Sequence, residues 1–243
     1  KNISSNKIIS TDPPYYDNIA YADLSDFFYV WLRKTLKEIF PSTFATIATP
    51  KNEELVATPY LHKSKVEANF FFLNGMKKAI NNIAEQYNNA YPVTIYYAFK
   101  QAETKSEGTA STGWETFLEA VIDAGLFIVG TWPIRTERVV GFKKNINALA
   151  SSVVLVCRKR PSNAIFLSRS EFKRKLRESL PFALQNYEKS NIAPVDVAQA
   201  SIGPGVSIFS GTKGVLNPDD SKMSVREALM EINNVLNEYL SKD

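Results

Sequence analysis

Ile8-Ile9-Ser10-Thr11-Asp12-Pro13-Pro14-Tyr15-Tyr16-Asp17-Asn18 is the stretch on which the reading of this 243-residue chain turns. Ile8-Ile9 is a short apolar run that stops at two prolines, and proline can neither donate to a strand ladder nor continue one. The pattern predicts a buried parallel strand ending in a rigid turn, with the turn at the strand's carboxyl end. In open α/β sheets that is the end at which ligands bind.

Working outward, Leu24, Phe27, Phe28, Trp31, Leu32, Leu36 and Ile39 recur at helical spacing until Pro41. A second such run is Val66, Phe70, Leu73, Ile80, Ile83 and Tyr87. The β-branched and aromatic segment 93–99 predicts a strand, and residues 114–124 predict a helix that Gly125 caps. Segments 126–132 and 151–157 predict two strands with no helix between them, hence an antiparallel pair. The order is strand, helices, strand, helix, strand, strand. Beyond Pro161 the chain becomes helical, with possible capping boxes at Ser168/Glu171 and Ser224/Glu227 and a Gly/Pro loop at 203–218 between them. The expected division is therefore 1–161 as one catalytic half-domain and 162–243 as a helical appendage.

Composition sets outer bounds. Hydrophobic residues make up 44% and charged residues 22%, enough for a full core. The longest apolar runs fall far short of the roughly 20 residues that span a bilayer. One cysteine, Cys157, excludes an internal disulfide framework or a multi-cysteine zinc site and points to a reducing cytoplasm. The net charge of +4 says little. The opening residues carry neither an initiator Met nor a signal-peptide core, which reads as a piece of a longer protein.

The turn itself suggests a chemistry. An exocyclic amino group on a base is a poor nucleophile because its lone pair is delocalised into the ring. Two acceptors aimed at its hydrogens would turn that lone pair toward an incoming methyl group. The Asp12 carboxylate is one such acceptor and the Pro13 carbonyl, on a backbone with two fixed φ angles, is another. Tyr15 offers a face on which a flipped base can stack. Tyr16, Asn18 and Tyr21 follow closely enough to contact base or sugar, or to pack against the next helix.

These residues carry a resemblance. Asp12-Pro13-Pro14-Tyr15 after an apolar strand resembles the D-P-P-Y motif of amino-methyltransferases. The blocks 11–34, 148–161 and 202–211 resemble the large adenine-specific DNA methylases that carry a zinc ribbon and an uncharacterised N-terminal domain. The resemblance implies the second half of a class I methyltransferase Rossmann-like α/β sheet, strands four to seven with the last one antiparallel. It also implies S-adenosyl-L-methionine as methyl donor, with Asp12 and Pro13 touching it, DNA as substrate and adenine N6 as target. The Phe-x-Gly-x-Gly loop that such enzymes use for the donor's amino-acid end is absent from the chain. The isolated piece is thus expected to be inactive, with the missing N-terminal half of the same protein as its partner. RNA or protein-amide methylation, or a non-catalytic DNA-binding module of a restriction or defence system, are the alternatives.

Other features are weighed against blander readings. Between Pro133 and Arg160 the charges are Arg135, Arg138, Lys143, Lys144, Arg158, Lys159 and Arg160 against Glu137. Arg135, Lys143 and Lys144 are candidate phosphate contacts, while Arg158 to Arg160 end a strand. Gly203-Pro204-Gly205 reads as a structural turn, Cys157 as core, and His62 as a surface residue. Trp114 and Trp132 read as core, although Trp132 ends a strand on the side of the proposed site.

Overall fold

Four strand signals become one four-stranded sheet. The computed structural model describes residues 5–16, 19–98, 112–134, 152–188 and 194–241. β1 (Ser10–Thr11) pairs in parallel with β2 (Val93–Ala98). β3 (Leu126–Ile134) and β4 (Ser152–Lys159) are antiparallel, as the sequence predicts, with an irregularity between Ile128 and Gly130. β4 also pairs antiparallel with β2, giving the order β1-β2-β4-β3. β1, β2 and β3 therefore run one way, and β4, the last in sequence, runs against them. The architecture is mixed α/β.

Helices α1 (Tyr21–Leu36) and α2 (Lys65–Gln86) lie in sequence between β1 and β2, and α3 (Thr112–Asp123) lies between β2 and β3. Gly125 at φ +77° ends the α3 turn in the left-handed region that glycine adopts without cost. β5 (Phe166–Ser168) and β6 (Gly214–Leu216) form a small parallel pair absent from the sequence reading. α4 (Arg169–Glu188), α5 (Pro194–Ser210) and α6 (Val225–Leu240) complete the order. Among the described residues no helix is long and apolar enough to cross a membrane.

The chain divides into two units: residues 1–13 with 77–243, and residues 14–76. Position 161, the boundary expected from composition, lies within the first of these, and the second is the α1 region.

In the first unit, Val93, Ile95 and Tyr97 from β2 and Leu155 and Cys157 from β4 are 2% exposed or less. The Tyr97 ring stacks on Phe117 of α3 at 4.3 Å and leans on Trp114 at 5.3 Å. The predicted loop at 203–218 is corrected here: Gly203-Pro204-Gly205 lies inside α5. A Cβ on Gly203 would collide with Thr131 Oγ1 in β3, and one on Gly205 would come within 2.6 Å of Ile232 Cγ1 in α6. These glycines serve close approach, not turning, and tight packing on both sides sustains a helix that local propensity opposes.

Both predicted capping boxes form. Ser224 accepts from the Glu227 amide while the Glu227 side chain takes the Ser224 amide. Ser168 and Glu171 exchange the same two bonds at 3.2 and 2.8 Å. Arg160 ends β4 as a clamp: its guanidinium donates to the Ile122 carbonyl at the end of α3 (2.6 Å) and to the Ser210 carbonyl at the end of α5 (2.9 Å). It satisfies carbonyls that helix ends otherwise leave unpaired.

The second unit has an inverted helix. Ala22, Asp26, Tyr29 and Arg33 of α1 face inward, held by polar contacts. Tyr29 donates to the Thr46 carbonyl (3.1 Å), as does Arg33 Nε (2.8 Å). Asp26 accepts from the Thr49 amide (2.8 Å) and from Lys51 Nζ (2.6 Å). The hydrogen bonds from Lys51 and Thr49 lower the Asp26 pKa to about 2. Leu24, Phe27, Phe28 and Trp31 are left 60–69% exposed. The apolar core of this unit is instead Phe44, Val56, Ala57, Ala68, Phe72 and Met76.

Candidate active-site edge

The parallel direction of β1, β2 and β3 puts their carboxyl ends on one edge of the sheet. The strand of the first motif is Ser10–Thr11, two residues later than Ile8-Ile9, and Ile8 is 65% exposed. That strand is neither as long nor as buried as the sequence suggests. Its position at the sheet's end explains this: β1 pairs with β2 alone among the described strands. A hydroxyl pair, Thr94 Oγ1 to Ser10 Oγ at 2.9 Å, ties the two strands together on one face.

Asp12 follows Thr11 directly and is exposed, and Pro13 beside it is half-buried. Both belong to the sheet unit, whereas Pro14 and Tyr15, each half-buried, open the second unit. On the sheet, the side chains one step beyond the Ile95 row are Tyr96, Val154 and Trp132, paired across β2, β4 and β3. Trp132 is 67% exposed, which corrects its reading as core, while Trp114 at 4% is the core residue expected. An indole left open near the carboxyl ends of the strands is the feature that sequence reasoning undervalued. The signal was its place near the end of a strand.

Tyr16 is turned inward within its own unit. Its hydroxyl donates to Asn69 Oδ1, its ring meets Phe72 edge-on at 5.4 Å, and its carbonyl accepts from the Ala57 amide at 2.8 Å. Its φ of +47° is uncommon for a bulky residue and is held by these three contacts. Tyr16 is thus anchored in packing, the blander of its two readings. Tyr21, the first residue of α1, is 54% exposed. The α1 start has no side-chain cap of its own, and the Ala22 amide donates instead to Glu54 Oε1 at 3.0 Å.

Asn18, Arg135, Lys143 and Lys144 lie outside the described residues. Ile134 and Ser152, the described residues on either side of segment 135–151, pair with each other at the same edge as Asp12.

Other basic groups are already committed. Arg169 and Lys173 of α4 both bind Glu231, which is 2% exposed. Burial pushes the Glu231 carboxyl up, but hydrogen bonds from Lys173 and Arg169 outweigh it and hold the group below its ordinary range. Arg177 pairs with Glu238 and Arg174 with Glu178. An open cleft of about 620 Å³ at the start of α4 is lined by Ser168, Arg169, Lys173 and Asn217, and its two cations are those bound to Glu231. Four of the basic side chains of α4 are thus ion-paired, three of them to Glu231 and Glu238 of α6.

His62 is half-buried, not at the surface, with its ring stacked 4.2 Å from Phe71. Cys157 is fully buried, and burial pushes its thiol up to about 12, far from a reactive thiolate. Comparison of the chain with protein-family models, with curated proteins and with solved structures gives no match.

Proposed function

We propose that this chain forms the target-base side of a methyltransferase acting on an exocyclic amino group of DNA, adenine N6 first. The observation that carries this reading is the placement of Asp12-Pro13 immediately after a parallel strand, on the edge where three strands end together. The sheet is also of the kind the resemblance implies, parallel except for its last strand.

The Asp12 carboxylate and the Pro13 carbonyl accept the two amine hydrogens and turn the nitrogen lone pair outward. Tyr15 stacks on the extruded base. Positioning carries most of the rate, because an amine held in line with an electrophilic methyl needs little acid or base assistance. S-adenosylmethionine supplies that methyl when bound. An exposed carboxylate on a proline-stiffened backbone fits the acceptor amine. The donor's methionine end finds no Phe-x-Gly-x-Gly loop in this sequence, and its place is not assigned to these residues.

The experiment is methyl incorporation from labelled donor into DNA, RNA and protein, using the longest protein in which this sequence occurs. Asp12→Ala is expected to lower DNA methylation by about 100-fold or more with folding unchanged. Wild-type methylation by Asp12→Ala would end this reading. Incorporation into RNA or protein alone would move the substrate.

A further inference from the structure

An apolar helix face that the described residues leave open calls for a partner. On α1, Leu24, Phe27, Phe28 and Trp31 form one stripe flanked by Tyr21 and Leu32, all between 46% and 69% exposed. At 100° per residue the stripe lies opposite Ala22, Asp26, Tyr29 and Arg33, the polar contacts that hold the helix down. Exposed apolar patches of this size mark interaction surfaces. The six side chains present roughly 700 Å² to solvent, close to the ~800 Å² that each partner gives to a standard interface.

The charges beside the stripe select the occupant. Asp23, with a side chain 42% exposed, lies in the first turn, where it accepts from the Tyr60 hydroxyl at 2.8 Å and stands 3.9 Å from Lys51, an ammonium it shares with Asp26, so that two carboxylates to one cation leave a net negative charge there. Lys34, exposed in the last turn, rests over the Trp31 ring at 5.3 Å. Asp23 and Lys34 are about three turns apart and so share one flank of the stripe. In an antiparallel pairing about a two-fold axis, equal flanks meet, so Asp23 of one copy faces Lys34 of the other, twice. A parallel pairing about a two-fold axis would bring unequal flanks together and make neither contact. The opposed helix dipoles favour the same arrangement.

We infer that the α1 stripe is the interface of a homodimer in which two copies of α1 pack antiparallel about Phe28, with Leu24 of each copy set near Trp31 of the other. This does not rest on the methyltransferase reading.

Sedimentation equilibrium of the whole chain tests it. Wild type is expected to show a concentration-dependent dimer, and Phe28→Glu to weaken it by about 100-fold or more. Lys34→Asp weakens it by about tenfold, and Asp23→Lys combined with Lys34→Asp restores it. Such restoration cannot come from a folding defect. Phe28→Cys should cross-link to its own copy on oxidation, the one native cysteine being fully buried. Leu24→Cys should not, since its two copies lie about 13 Å apart along the axis. A monomer at every soluble concentration overturns the proposal, as does a dimer indifferent to Phe28→Glu and to the charge swap. So does a monomer that binds single-stranded DNA through the stripe and loses it in Phe28→Glu.

Discussion

α1 and α6 are each sixteen residues long and each carry apolar side chains at helical spacing, yet they use them in opposite directions. α6 turns Ala228, Leu229, Ile232, Val235 and Leu236 inward, all at 5% exposure or less. α1 turns its apolar residues outward and is held by Asp26, Tyr29 and Arg33. Periodicity specifies that a helix has an apolar stripe; it does not specify which neighbour the stripe meets. The polar partners decide that here, because Thr46, Thr49 and Lys51 give the polar face of α1 more to bind than water alone would.

The contrast can be broken by mutation. Ile232→Ala on α6 should cost about 3 kcal/mol, read from urea denaturation, since it empties a fully buried site. Gly205→Ala should cost about 2 kcal/mol, because its Cβ meets three Ile232 carbons at 2.6–2.8 Å. Asp26→Asn should lower the thermal midpoint near neutral pH, and the gap from wild type should close as the solution is acidified. The folded pKa of Asp26 is depressed, from 3.8 to about 2, so its contribution is present above 3.8 and is lost as pH falls toward 2. Smallest of all, Phe28→Ser on α1 should change the stability of the single chain by less than about 0.5 kcal/mol. A loss comparable to that of Ile232→Ala would mean that α1 is not the open helix described above.

Much of the order of elements is legible in the sequence, because proline stops, glycine caps and capping boxes are local signals. Ser224/Glu227 marks the start of α6 to the residue, and Gly125 marks the end of α3. Gly203-Pro204-Gly205 misleads for the converse reason: its local preference is a turn, and only Thr131 and Ile232, distant in sequence, reveal why small residues belong inside a helix. The edge position of β1 is equally hidden, since Ile8-Ile9 looks the same whether one neighbour or two will flank it. The place of Asp12-Pro13 after a strand is legible because both the apolar run and the proline stop are written locally. Trp132 is not, because an indole at a strand's end is buried or bare according to what packs above it.

The reversed strand has a consequence for how the chain is made. β2 and β3 both pair with β4 and not with each other, so neither finds its main partner until the chain has been synthesised to about Lys159. Until then Val93, Ile95 and Ile128 are apolar strand residues without the ladder that will bury them, a state that slows folding and invites aggregation. A nascent protein whose β2 and β3 have left the ribosome while β4 has not is at its stickiest moment, and the emergence of Lys159 releases a sheet that closes from the middle.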